Sequence, residues 1–98
     1  MYLEIVTPEA SIFKAEVDAV TVPGVEGEFQ MLENHAAIVS LLEKGTVKVK
    51  LKTANASQLK ENLHADFYRY HGDDNILALD INSGTVECKD NKIIVLAD

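Results

Sequence analysis

Residues 20–42 read Val20-Thr21-Val22-Pro23-Gly24-Val25-Glu26-Gly27-Glu28-Phe29-Gln30-Met31-Leu32-Glu33-Asn34-His35-Ala36-Ala37-Ile38-Val39-Ser40-Leu41-Leu42, and this stretch decides the fold. An apolar strand carrying Val20 and Val22 breaks at Pro23-Gly24, and a second glycine follows at Gly27. Glu26 and Glu28 then meet Phe29, and the Asn34-His35 step leads into another apolar run. Proline fixes one backbone dihedral and removes a donor, while glycine permits positive φ, so the connection has a defined, bent shape. Carboxylates on a shaped loop between buried strands read as a contact surface on a rigid scaffold.

Outward from this stretch, short alternating segments continue in both directions. Leu3 and Ile5 alternate with Glu4, and Thr7-Pro8-Glu9 ends that segment. Ala15 and Val17 alternate with Lys14, Glu16 and Asp18, and then the apolar phase slips by one to Val20 and Val22. A one-residue slip turns a strand over, so a bulge or bend between Val17 and Val20 is expected. Val47, Val49 and Leu51 alternate with Lys48, Lys50 and Lys52, which read as a solvated face or a protected edge. Thr53 to Asp66 breaks the pattern; Leu59 and Leu63 have helical spacing, and a short helix or an irregular loop both fit near residues 55–65. Alternation returns over Phe67–Tyr70, Ile76–Ile81, Thr85–Cys88 and Ile93–Leu96, joined by Gly72-Asp73-Asp74-Asn75, Asn82-Ser83-Gly84 and Asp90-Asn91. The reading is a single all-β domain over residues 1–98, a β-sandwich or flattened barrel of about ten short strands.

Composition narrows the function. Ninety-eight residues bury about 60–65% of the unfolded surface, enough for one core. Nine basic against sixteen acidic side chains give a net charge of −7, which argues against nucleic acid or anionic lipid as the main partner. The single cysteine, Cys88, calls for no oxidising compartment. No stretch approaches the ~20 apolar residues of a membrane span, so association with a membrane is expected through a protein partner.

No catalytic constellation stands out. His35, His64 and His71 never occur at paired metal-site spacing, and His35 with Glu43 lacks the further histidines of a cupin-like centre. Cys88, between Glu87 and Lys89, reads as a small apolar strand residue. The glycines are scattered, with no phosphate-cradling loop, so neither a cofactor nor a metal is expected. Phe67, Tyr68 and Tyr70 read as strand packing rather than a stacking platform. His35 has two compatible readings: its ring fixes the turn after Asn34 through a backbone carbonyl, or it touches a partner.

Taken in order, the Pro-Gly loop, the Gly-Glu-Phe step at residues 27–29, Asn-His-Ala at residues 34–36 and the closing Val-Leu-Ala-Asp resemble the epsilon subunit of F-type ATP synthase. The resemblance spans almost the whole chain, from Leu3-Glu4-Ile5-Val6-Thr7-Pro8 to the end. It implies a non-catalytic β-sandwich of the central stalk, seated beside the gamma subunit and on the ring of c subunits, coupling ion translocation to ATP synthesis and hydrolysis. It implies ring contact by Glu26, Gly27, Glu28, Phe29, Glu33 and His35, and a gamma-facing side bearing Thr7 and Ser40. It further implies a peripheral place on the cytoplasmic face of the cell membrane.

Several positions depart from the family pattern. Gln30 replaces a small residue, Glu33 replaces the proline before Asn-His and adds a third carboxylate, beside Glu26 and Glu28, to the loop expected to face the ring, and Ala37 stands where proline is common. Ser83-Gly84-Thr85 replaces Gly-Gly-aromatic, and Thr53 to Asp66 resembles an insertion. The helical hairpin that follows the sandwich in many members, and that inhibits hydrolysis and in some members binds ATP, is not within these residues, so no nucleotide binding is expected. Two other classes stand beside this reading: a free-standing acidic β-sandwich adaptor for an unrelated protein, and, remotely, a cupin-like metal enzyme.

Overall fold

The computed structural model describes residues 1–61 and 63–98, apart from the side chains of Glu61 and Asp74. Among the described residues the elements are β1 (Tyr2–Val6), β2 (Ser11–Gly24), β3 (Gly27–Leu32), β4 (Ile38–Leu42), β5 (Gly45–Leu51), α1 (Ala56–Glu61), β6 (Tyr68–Tyr70), β7 (Asp73–Ile81), β8 (Gly84–Lys89) and β9 (Lys92–Ala97). The described residues are nearly all β, as the alternation predicts, with nine strands among them where about ten were expected. Strands hydrogen-bond in the order β1-β9-β8-β4-β2-β5-β7-β6, with β3 on β2 and a further pairing of β1 with β2.

The long strand β2 is shared by the two layers of the sandwich. Its first half pairs with β1, its second half pairs with β3 and β5, and Gly24 alone meets β4. The expected bulge is present, as a register shift between Val17 and Ala19 against β5. It returns Val20 and Val22 to the same interior as Val17, and all three are fully buried. Leu3 and Ile5 of β1, Met31 of β3, Val47 and Val49 of β5 and Ile93 and Val95 of β9 fill the space between the layers.

The lysines of β5 lie on a solvated face, but β5 is not an edge, because β2 and β7 flank it on both sides. The stretch that breaks alternation holds a six-residue helix, α1, whose Ala56 is buried and whose Leu59 packs against the core together with Leu63 beyond its end. Residue 62 of that stretch lies outside the described residues. Phe67 closes the region by packing on Phe13, with ring centroids 5.7 Å apart.

Two tight turns have positive φ at both central residues, the primed geometry that matches strand twist. Asp90 (φ 52°) and Asn91 (φ 63°) join β8 to β9 where a hairpin is expected. His71 (φ 49°) and Gly72 (φ 75°) join β6 to β7, so β7 already begins at Asp73 rather than after a Gly72–Asn75 loop.

Candidate interaction site

The β2–β3 hairpin places the first group of candidate residues at its tip. Gly24 pairs with Gly27, leaving Val25 and Glu26 as the turn. A Cβ at Gly24 would lie 2.8 Å from the Gly27 carbonyl oxygen and 2.9 Å from the Phe29 ring, so only glycine admits that packing. Gly27 itself adopts φ +126°. Glu26, Gly27 and Glu28 are exposed, whereas Phe29 is half-buried against the core. Lys48 Nζ donates to a Glu28 carboxylate oxygen at 3.2 Å and stands 4.7 Å from the Tyr70 ring centroid. Tyr70, and after it Glu28, hold the Lys48 ammonium above the ordinary lysine value against its partial burial. Among the described residues Glu26 has no such partner.

Glu33 and His35 lie elsewhere. The expectation of one carboxylate-rich loop fails because β3 continues to Leu32 in an unbroken ladder with β2. Five residues of strand carry Glu33 about 16 Å along the chain from Glu28. There Glu33 accepts hydrogen bonds from Asn91 Nδ2 and, at 2.9 Å, from the α-ammonium of Met1. The Asn91 side chain, and after it the Met1 ammonium, hold the Glu33 carboxyl below the ordinary glutamate value. Asn91 Oδ1 also accepts the Asn34 N–H at 2.8 Å, supporting the positive φ of Asn34 (61°).

His35 Nδ1 lies 2.7 Å from the Ala36 carbonyl oxygen, and since a carbonyl only accepts, the ring nitrogen donates. The turn-fixing reading of His35 is thus present in the structure. Cys88 lies beside it, buried, with Sγ 3.8 Å from the His35 carbonyl oxygen, and burial pushes its thiol up. It packs as the small apolar residue its strand position suggested.

Thr7 and Ser40 flank a shared apolar strip. Thr7 closes the turn after β1, its Oγ1 donating to the Ala10 carbonyl at 3.2 Å. Ser40 sits in β4, its Oγ donating to the Leu41 carbonyl at 3.2 Å. Thr7 lines a groove of about 620 Å³, Ser40 lines another of about 490 Å³, and both Leu41 and Val25 line the two. Val39 is 75% exposed, Leu41 62%, and Val25 and Leu96 50% each. Cross-strand register puts Leu41, Thr85, Leu96 and Val6 in one row over β4, β8, β9 and β1.

The family resemblance points to Ser40 and not to the apolar residues beside it. The signal was there in Ile38-Val39-Ser40-Leu41-Leu42, where both faces of one strand are apolar, which a single core cannot account for. Leu96 follows the same logic in β9. The other histidines are scattered: His64 Nδ1 is 3.6 Å from Asp66 Oδ2, and His71 stacks edge-on against Tyr70. Among the described residues no three histidine, cysteine, aspartate or glutamate side chains come together as metal ligands.

Known proteins share this architecture. The family model for the β-sandwich domain of the ATP synthase delta/epsilon chain matches residues 1–60. An ATP synthase epsilon chain of Campylobacter curvus is 35% identical over 98 residues, all of this chain and 60% of its own length. That of Campylobacter fetus is 39% identical, with the same coverage, and that of Sulfurovum sp. is 37% identical, with 61% of its length covered. The chain therefore spans about 60% of the length of these curated relatives. Among solved structures, a chain of the Tetrahymena thermophila mitochondrial ATP synthase central stalk and c-ring superposes with TM-score 0.67 at 13% identity, over 99% of this chain and 62% of its own. A chain of the Euglena gracilis mitochondrial ATP synthase superposes with TM-score 0.70 at 21% identity, over 97% and 48%. By its family match, the chain belongs to the β-sandwich domain family of the ATP synthase delta and epsilon chains.

Proposed function

We propose that this chain is the β-sandwich of an epsilon-type central-stalk subunit that links a gamma subunit to the ring of c subunits and does no bond chemistry itself. The observation that carries the reading is two unlike surfaces meeting on one rigid scaffold. The apolar strip of Val25, Val39, Leu41 and Leu96 is exposed, and the acidic hairpin tip of Glu26 and Glu28 adjoins it at Val25. Exposed apolar residues gathered in one strip mark a protein interface rather than chance exposure. In this reading the strip, flanked by Thr7 and Ser40, takes the gamma subunit, and the tip of Glu26, Gly27, Glu28 and Phe29 meets basic loops of the ring. Glu33 and His35 form a separate patch at the far end of β3. In this reading torque passes between ion translocation and the catalytic subunits through the sandwich.

No helix among the described residues is long and apolar enough to cross a membrane. The subunit is held peripherally, on the cytoplasmic face, through its partners. Co-purification with the cognate gamma subunit tests the proposal. Leu41→Ser is expected to weaken that association while leaving the melting temperature nearly unchanged, because Leu41 lies outside the core. Absence of co-purification by the parent would leave the adaptor reading in its place.

A further inference from the structure

Beyond contact between surfaces, the groove between the β2–β3 hairpin and β4 has the features of a strand-binding slot. Its walls are two runs of consecutive residues, 24–29 on the hairpin and 38–41 on β4. Side chains of one strand face alternate between opposite sides, so walls made of consecutive residues present backbone edges. The edge of β4 is open. Its other side is fully laddered to β8, while its pairing with β2 is limited to Leu42 with Gly24.

Bond directions identify which groups are free. Val25 N–H donates to the Leu41 carbonyl at 3.2 Å, and Glu43 N–H donates to the Pro23 carbonyl at 2.9 Å. Backbone groups alternate in direction along a strand, so Leu41 and Val39 both turn away from β8. Among the described residues the Val39 N–H and carbonyl and the Leu41 N–H have no backbone partner. This edge also lacks the usual protection. Residues 38–42 contain no lysine, proline or bulge, and the outward side chains are Val39 and Leu41.

We propose that this slot takes an extended, basic segment of a partner chain, which adds as a strand to β4. Four residues of open edge extend about 13 Å, enough for a segment of three to four residues. Apolar side chains of the segment would settle on half-buried Phe29 and Ile38. Its lysines or arginines would meet Glu26, which has no ion-pair partner among the described residues, and the net charge of −7 selects a basic partner over a second copy of this chain. The proposal rests on the rotor-subunit reading only in using the gamma subunit as a probe.

Amide hydrogen exchange of the protein is compared alone, with purified gamma subunit, and with the peptide acetyl-Lys-Val-Lys-Val-Lys-amide. Protection of the Val39 and Leu41 amides by either ligand is expected. Val39→Pro removes the outward N–H, and with it about tenfold in affinity, provided that the exchange of the β8 amides shows the β4–β8 ladder intact despite the fixed φ, whereas Val39→Thr, which keeps the backbone donor, should cost about threefold or less. Gamma binding with both amides unprotected overturns strand addition and leaves the stalk reading standing. Failure of gamma to bind sinks the stalk reading, and the peptide then decides strand addition alone, with no protection overturning it. Protection that appears only on raising the protein's own concentration assigns the slot to a second copy and also overturns the proposal.

Discussion

At the scale of single residues, Glu33 shows how a surface carboxylate acquires a structural duty. The bonds from Asn91 and the Met1 ammonium favour its ionised form, so its folded-state pKa lies below the unfolded one. A depressed carboxyl pKa contributes stability above the unfolded value, and that contribution is lost as the pH falls through the folded value. Asp80 behaves alike, lowered first by the Tyr68 hydroxyl and then by Thr46. Glu33→Gln should therefore melt below the parent at neutral pH, and the gap should narrow as the pH falls from the unfolded carboxyl range through the lower folded value. A gap that persists unchanged in acid would mean that the ionised form of Glu33 is not what matters. Glu26→Gln, at a side chain with no ion-pair partner among the described residues, should shift stability by less than about 0.5 kcal/mol. The sequence suggested that Glu26, Glu28 and Glu33 were equivalent loop charges. Their difference was invisible because Asn91 is 58 positions from Glu33 in the chain.

At the scale of elements, the β2–β3 hairpin depends on a glycine whose space is already taken. Gly24→Ala would drive a methyl group into the Gly27 carbonyl and the Phe29 ring. Overpacking of this kind costs about 1–3 kcal/mol, readable in chemical denaturation, and it should displace Phe29 from the tip. Unchanged stability would show that Phe29 moves aside freely. The hairpin and the β2 bulge were legible because each leaves a local mark: the Pro-Gly break, and the phase slip from Val17 to Val20. Other elements left no such mark. Asp73-Asp74-Asn75 has turn chemistry, yet β7 runs through it because the bend is completed at His71-Gly72 and β6 supplies a partner at Asp73. Helix α1 is too short for periodicity to define, and the packing of Ala56 and Leu59 on the core decides it. The candidate site was half legible: motif residues placed the acidic tip, while the strip over β4, β8, β9 and β1 emerges only once strand order is known.

At the scale of the whole molecule, charge and apolar surface should govern different steps of association. A net charge of −7 acts over roughly the Debye length, ~10 Å at 0.1 M salt, and so steers the encounter with a basic partner before contact. The apolar strip acts only after water is expelled, and so sets how long the complex lasts. Binding of the gamma subunit or the c-ring, followed by stopped-flow or surface kinetics, separates the two. The double variant Glu26→Gln with Glu28→Gln should lower the association rate and flatten its salt dependence, leaving dissociation little changed. Lys48, released from Glu28 in that variant, adds a local positive charge and strengthens the effect. Leu41→Ser should do the reverse, speeding dissociation by about tenfold for some 1.4 kcal/mol of lost burial, with the salt slope intact. Both variants acting on the same rate constant would mean that tip and strip form a single contact, and the proposed division between a ring-facing tip and a gamma-facing strip would not stand.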